Sequence, residues 1–480
     1  MKPFEQNQID AFAELMAIRP GRALDSHEVT ITGRDPFYRT PFRMGETLAA
    51  ALAARGVAAN DLWELRTGSR QQISIDVRAA AATSLGGEIT LLRNDKGSYR
   101  HIPGSASMEH MVALTQPWAT ADGGWFLPHT NLPHLERRVL NVLKCESTPE
   151  SVQAAIAGWN SDELEDAIAA ANACGGKVRT QEEWLAHPHG AYLASRPVVE
   201  ITKIADGEPE PLHAGNQPAS GVRVLDLTRI LAGPTCGISL AEHGADVLMV
   251  TAPHLPQVPE FVRDTSYGKR SCFLDCKRPD EAEKLRSLVR EADMLIDGYR
   301  PDSLARNGFG VDELLQLRPG LIHVSVNCFG SGGPFASRAG WDQVAQAVTG
   351  VCHTQGMATG GGRPQLTPVY MCDFLTGFLG AYGAMLALAR RAREGGSYRV
   401  QVSLCQSAML LQRQGLVDHF QDAPGHLSPA EFDELAAYVD GTCYGDLKTL
   451  GPVLRMSKTP CRWSRPTPKL GSYQPEWLER

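Results

Sequence analysis

Residues 222–252 read VRVLDLTRILAGPTCGISLAEHGADVLMVTA. VRVLDLT is apolar at nearly every position rather than at alternate ones, which predicts a strand covered on both faces. GISLAEHG follows as a helix closed by Gly244, the residue best suited to a left-handed C-terminal position. ADVLMVT is a second buried strand. Two strands joined by a helical crossover are parallel neighbours in one sheet. The alternation continues: KRPDEAEKLRSLVREA is a helix, DMLIDGY a strand, VDELLQLRP a helix and LIHVSVNCF a strand. YRVQVSLCQSAMLLQ supplies a last strand and helix. The fold class is therefore α/β with an open, Rossmann-like parallel sheet.

The turn after the first strand excludes the commonest use of such a sheet. A dinucleotide site needs G-x-G-x-x-G there and an acid ending the second strand. Here the turn is LAGPTCG and the second strand ends in Val250-Thr251. No G-x-S-x-G elbow marks a serine hydrolase. Net charge is −7, which argues against a nucleic-acid partner. Eleven cysteines are scattered with no paired zinc-ligand spacing, so no metal is expected. The opening MKPFEQNQIDAF is polar and unlike a secretory leader, so a cytoplasmic protein with reduced thiols is expected. The apolar run 374–389 is short for a bilayer and ends in Arg390-Arg391, which predicts a buried helix and no membrane partner.

Upstream of 222 the pattern is different. Residues 44–66 form an Ala-rich helix, and QQISIDVRAAAATSL (71–85) a strand running into a second helix. This pair echoes 378–411. Aligned on Ile73 with Val400, the two agree if the helices carry a gap of about eight residues, which predicts duplication of a half-domain. In that register Phe37 or Tyr38 faces the position of Asp373, with Asp35 near but out of step. Residues 123–204 contain a short strand, GGWFLPH, and helical segments, one capped by Thr180. GEPEPLHAGNQPASG (207–221) is the linker.

Segments 222–234, 244–250, 268–277, 292–310, 318–334 and 340–350, with DFLTG (373–377) and YRVQVSLCQSAM, resemble the CaiB/BaiF family, the class III coenzyme A transferases. The resemblance covers 222 to about 412. It implies a large Rossmann-like domain plus a smaller α/β domain. Residues 121–204, including ACGGKVRTQEEWLAHP, resemble the small domain, which in the family follows the large-domain segment. The expected division is 1–120, a degenerate partial copy of the large domain; 121–206, the small domain; 207–221, the linker; 222–425, the catalytic domain; and 426–480, an extension that packs back. The family forms interlocked dimers, which implies a homodimer or a pseudo-dimeric single chain.

The resemblance implies that Asp373 is the nucleophile of an acyl-CoA:carboxylate CoA-transferase. It would pass through a mixed anhydride and an aspartyl thioester. The substrates are an acyl-CoA and a carboxylic acid acceptor, with coenzyme A the group moved. Asp373 starts a helix, where free N–H groups and the dipole favour its anion at neutral pH. Arg306, Lys269 and Arg270 are candidates for the CoA phosphates. Leu231, Ala232, Gly233 and Pro234 lie at the carboxyl end of the first strand, where ligands of open α/β sheets sit. Where family racemases have Gly-His-Asp, this chain has Gly340-Trp341-Asp342, which leaves no imidazole for proton exchange. Racemase or isomerase chemistry, or an inactive CoA-binding scaffold, are the alternatives. Leu231 replaces a Gln of some transferases and points to a less polar acyl group. Gly377, Gly380 and Gly383 are expected to pack a helix closely, and Gly360-Gly361-Gly362 to form a connector.

Overall fold

Seven strands form the main sheet of the computed structural model, which describes residues 10–300 and 303–479. The first residues of the polar opening segment and Pro301-Asp302 lie outside the described residues. Six strands run parallel in the order Arg270–Phe273, Asp246–Thr251, Arg223–Leu227, Met294–Asp297, Ile322–Asn327, Ser397–Ser403. Glu200–Ala205, from the preceding half of the chain, pairs antiparallel with the last of them. The order reverses between Arg223–Leu227 and Met294–Asp297, and such a switch point opens a crevice at the carboxyl ends of the strands.

The helix Met371–Glu394 crosses this half of the molecule, and Met44–Thr67 packs on it. Each has 24 residues and is buried along most of its length. Their starts are geometrically alike. Arg43 has φ −77° and ψ 62°, and Tyr370 has φ −77° and ψ 63°. The interval from Met44 to Ile73 equals that from Met371 to Val400, so the duplicated units align with no gap. The expectation that Phe37 or Tyr38 faces the position of Asp373 is overturned. Glu46 occupies it, and Phe37 and Tyr38 lie in the core as an edge-to-face pair. Asp35 has its own counterpart. Its carboxylate accepts the N–H groups of Gly45 (3.1 Å) and Glu46 (2.8 Å), as Asp342 accepts that of Asp373 (3.1 Å). The strand Val29–Thr32 pairs in parallel with Ile73–Asp76, as Ile322–Asn327 does with Ser397–Ser403.

Between the copies lies a three-stranded antiparallel sheet, Trp118–Ala119, Trp125–Pro128 and Gly175–Lys177. The helices Pro133–Leu143, Pro149–Ile156 and Ser161–Ala170 cover it around a core that includes Phe126, Val139 and Ile168. Thr180 caps Gln181–Ala186 with a reciprocal bond from Glu183. The C-terminal segment joins three layers. Ala436–Thr442 and Gly445–Leu450 form a hairpin that extends the pair Leu91–Arg93 and Tyr99–His101. Arg455–Met456 pairs with Ile73–Asp76. Beyond it, Tyr473 N–H reaches the Ser271 carbonyl (2.9 Å) and the Trp477 indole the Leu288 carbonyl (3.1 Å).

Met371–Glu394 is long and apolar enough to cross a membrane, with mean hydropathy 1.4 over its most apolar stretch, yet that stretch is wholly buried in the protein. Its glycines explain the close packing. A Cβ at Gly377 would collide with the Thr235 side chain and sit 2.6 Å from the Ala232 carbonyl. One at Gly383 would meet Val400 at 2.6 Å. Gly377→Ala should therefore destabilise the protein by about 1–3 kcal/mol, read as a lower denaturant midpoint. An unchanged midpoint would mean that this helix and Ala232–Glu242 do not approach so closely.

Candidate active site

The carboxyl ends of Arg223–Leu227 and Met294–Asp297 open into a cavity of about 590 Å³. Asp373 lies in its wall, with Leu231, Ala232 and Gly233. Leu132, His134, Leu135 and Arg138 close it from the segment that precedes the linker. Ile230 precedes the helix start with φ +77°. That conformation is strained for a β-branched side chain and typically costs about 1–3 kcal/mol, and such strain clusters at functional sites. It turns the chain so that Leu231 and the first helical residues border the cavity.

Asp373 is 7% exposed, and its carboxylate has no hydrogen-bond or ion-pair partner among the described residues. Its backbone N–H donates to Asp342. Burial, and then the Asp342 charge, push the Asp373 carboxyl well above the usual carboxylate range. The expected anionic bias of a helix start is therefore outweighed. The dipole is worth about 0.3–1 kcal/mol, whereas desolvating a charge costs several. Asp342 is fully buried and is raised to about 6 by burial, against the hydrogen bonds of Gln346 and the Asp373 backbone. The two carboxyls titrate as a pair. Glu46 differs from its counterpart, because Arg43 pairs with it at 3.0 Å and it lines neither large cavity.

Apart from Asp275, the charged residues lining the rest of the cavity are basic. Arg138, Arg229, Arg300, Arg306 and Lys277 all line it. Arg138 and Arg300 both donate to the Asn172 carbonyl, at 2.9 and 3.0 Å, and Arg229 donates to the Pro256 carbonyl at 2.9 Å. No ion pair neutralises these five among the described residues. Burial and the charges of Arg138, Arg229 and Arg300 hold His134 below its ordinary pKa. Such an uncompensated cluster with a helix start beside it is a place for phosphate. Residues of this kind fit the polyanionic end of coenzyme A.

Three of the residues expected from sequence are elsewhere. Lys269 is fully buried, and its Nζ donates to Asp226 Oδ2 and the Pro234 carbonyl, each at 2.8 Å. Gly237 leaves room for this pair, since a Cβ there would sit 2.9 Å from Nζ. Lys269 thus ties the helix start to the first strand and cannot reach a phosphate. Arg270 is also buried, held by Asp246 at 2.8 Å and the Glu476 carbonyl at 2.6 Å. Pro234 lies behind the wall, with its carbonyl turned to Lys269. Arg306 does line the cavity and is exposed, as do Leu231, Ala232 and Gly233. Gly360-Gly361-Gly362 form an exposed turn that lines neither large cavity. Trp341 stacks on His129 at 4.8 Å, but that imidazole is buried, lowered to about 4 by burial, and bonded to Gln343. Arg229 was not expected from sequence; it lies in the loop between the strand Arg223–Leu227 and the Ala-Gly-Pro turn. Arg138 comes from another part of the chain, and sequence could not place it.

The chain belongs to CoA-transferase family III, whose sequence model matches residues 26–216 and 219–437. Two matched segments agree with the duplication seen in the fold. Similar curated proteins include an acetyl-coenzyme A transferase of Hypoxylon pulicicidum, 30% identical over 62% of this chain and 54% of that protein. An acyl-CoA transferase of Gibberella moniliformis is 29% identical over 76% of this chain and 71% of its own length. A succinate–glutarate CoA-transferase of Agrobacterium fabrum is 35% identical over 40% and 53%. The chain thus spans about half the length of most of these relatives. A crystal structure of a CaiB/BaiF family protein from Brucella suis is 31% identical over 41% of this chain and 56% of that one, with a TM-score of 0.36.

Removing Asp226's buried partner should be costly. Lys269→Met should lower stability by about 3–5 kcal/mol, measured by chemical denaturation; a stable variant with a changed affinity for CoA alone would restore Lys269 as a ligand contact. Asp373→Asn should affect stability according to pH. The folded-state pKa of Asp373 is above its unfolded value, so the protonated carboxyl favours folding. That contribution is complete below about pH 4 and is lost as pH rises through the folded value. Asp373→Asn should therefore raise Tm at pH 8 and have less effect at pH 4. Equal shifts at both would mean that the carboxyl is not desolvated.

Proposed function

We propose that this protein is an acyl-CoA:carboxylate CoA-transferase that works through Asp373. The observation that carries this reading is a buried carboxylate without a partner among the described residues, facing a cavity rich in cations that no ion pair neutralises there. A hydrated carboxylate is a weak nucleophile; one that has already lost its water and has no counter-ion meets less resistance to attack.

An Asp373 oxygen attacks the thioester carbonyl carbon. The C–S bond breaks, the CoA thiolate leaves, and a mixed anhydride remains on Asp373. The thiolate then attacks the aspartyl carbonyl carbon and expels the donor acid as a carboxylate. This leaves an aspartyl thioester. An acceptor carboxylate attacks that thioester, breaking its C–S bond to form a second mixed anhydride, and the released thiolate attacks the acceptor's carbonyl carbon, giving the new acyl-CoA and expelling Asp373 as a carboxylate. Asp373 gives up its proton before the first attack and regains it when it is freed, so no net proton is consumed. Arg138, Arg229, Arg300, Arg306 and Lys277 hold the phosphates, and the thiol arm points towards Leu231 and Asp373. Asp342 acts through the Asp373 backbone. It fixes the first helical turn, and its own charge keeps the neighbouring carboxylate poorly stabilised.

Relatives carry names that specify acetyl, succinyl and glutaryl, and formyl and oxalyl transfer, so the family does not select the acyl group. The pseudo-dimeric arrangement is part of the proposal. Leu132, His134, Leu135 and Arg138 close the cavity from the segment between the two copies of the same chain.

Incubation of the protein with an acyl-CoA and hydroxylamine should convert Asp373 to its hydroxamate, detected by peptide mass. Asp373→Asn should lose both adduct and turnover, by about 10³-fold or more. Turnover at the wild-type rate in that variant would end the assignment of the nucleophile.

A further inference from the structure

A second cavity, of about 640 Å³, lies between the two copies. We infer that it receives the acyl part of the transferred acid, and that this acid is bulky, largely apolar and carries a second, uncharged oxygen function. The inference rests on the transferase reading, because it gives a substrate class to the same centre.

The cavity adjoins that centre. Leu231 lines both cavities. Tyr370 and Phe374, which flank the first turn of the Asp373 helix, line this one, and so does Gln346, which donates to Asp342. Thr235 lies against Gly377, one helical turn beyond Asp373. An acyl chain that leaves the thioester past Leu231 would enter this space.

Its walls state the chemistry. Leu52, Ile89, Met111, Ile238, Phe374 and Phe378 present an apolar surface, and the volume suits a molecule of drug size rather than a two-carbon acid. Charge has the opposite sense from that of the first cavity. Glu88, Glu242, Glu260 and Asp264 line it. Its two arginines are both paired, Arg55 with Glu242 at 2.8 Å and Arg263 with Asp264 at 2.8 Å. Phosphates and dicarboxylates would be repelled.

Five residues of the wall carry a buried polar atom with no hydrogen-bond partner among the described residues: Arg55, Thr235, Glu260, Tyr267 and Trp463. Arg55 Nε and Thr235 Oγ1 are both buried without a hydrogen bond, on side chains each 2% exposed. Burying a donor unsatisfied costs about 1–3 kcal/mol, and a ligand oxygen would remove that cost. Because Glu242 already neutralises the Arg55 guanidinium, the acceptor it favours is a hydroxyl, carbonyl or ether rather than a second carboxylate.

The test is direct binding by titration calorimetry to the full-length Asp373→Asn protein, with 10-hydroxydecanoate, decanoate and succinate as probes. The hydroxy acid should bind tightest and succinate roughly tenfold or more weaker. Val112→Trp and Ile238→Trp, which fill the cavity from its rim and its wall, should each weaken the hydroxy acid by a similar factor while leaving CoA affinity unchanged. Thr235→Val should abolish the preference for the hydroxy acid over decanoate. Succinate binding as well as the long acids, or a Val112→Trp protein that binds 10-hydroxydecanoate like its parent, would overturn the inference. Because no turnover is measured, these outcomes are independent of the hydroxylamine experiment. Absence of an aspartyl adduct alongside the expected binding order would reject the transferase mechanism and leave the cavity as a binding site.

Discussion

The packing of Met44–Thr67 against Met371–Glu394 is the constraint on which the rest of the protein depends. Each helix is too apolar to face water over most of its length, and each buries much of that surface against the other. At roughly 25 cal/mol per Å² of apolar area, such an interface contributes far more than any single polar contact in the molecule. It also sets geometry. Once the helices are engaged, their starts, the strands that follow them and the loops that cap them are placed in related positions. The cavity between the copies is lined by both helices, and the one against the Rossmann-like sheet meets the start of Met371–Glu394 at Asp373.

Duplication does not mean equivalence. Both helix starts are capped by a carboxylate from a loop, Asp342 in one copy and Asp35 in the other. The third residue of each helix is acidic. Glu46 has Arg43 at 3.0 Å and opens onto neither large cavity. Asp373 has no partner among the described residues and opens onto one lined by basic residues. The difference lies in what surrounds the carboxylate. The first copy lacks the strands Arg223–Leu227 to Met294–Asp297, and with them the crevice and its cations.

Buried charge is used in two ways. The Lys269–Asp226 pair is complete, with both side chains inaccessible and every close partner accounted for in the turn it supports. It fixes the start of the helix at Ala232. Asp373 is buried without compensation, so its ionisation is costly in the resting protein. An arrangement of this kind gives up stability to keep a reactive group poorly solvated. The strained backbone at Ile230, in the same wall, is a second cost of the same kind.

The sequence by itself determined the α/β class, the parallel sheet of 222–403 and the acidic residue at the helix start, because buried strands, glycine-closed helices and a first-turn aspartate are local signals. It also revealed the repeat, but not its register. Alternation tolerates a gap, whereas the equal lengths of two packed helices do not, and so Glu46 rather than Phe37 or Tyr38 faces the position of Asp373. Only the tertiary structure decided which cations are free. Lys269, Arg270 and Arg306 look alike in a sequence, but burial at the start of the strand Arg270–Phe273 demands a carboxylate for the first two and a cavity rim leaves the third exposed. Arg138 joins that rim from far along the chain. The protonation of Asp373 was likewise beyond local reading, since a helix start predicts an anion and only the depth of burial, with Asp342 beside it, reverses the balance.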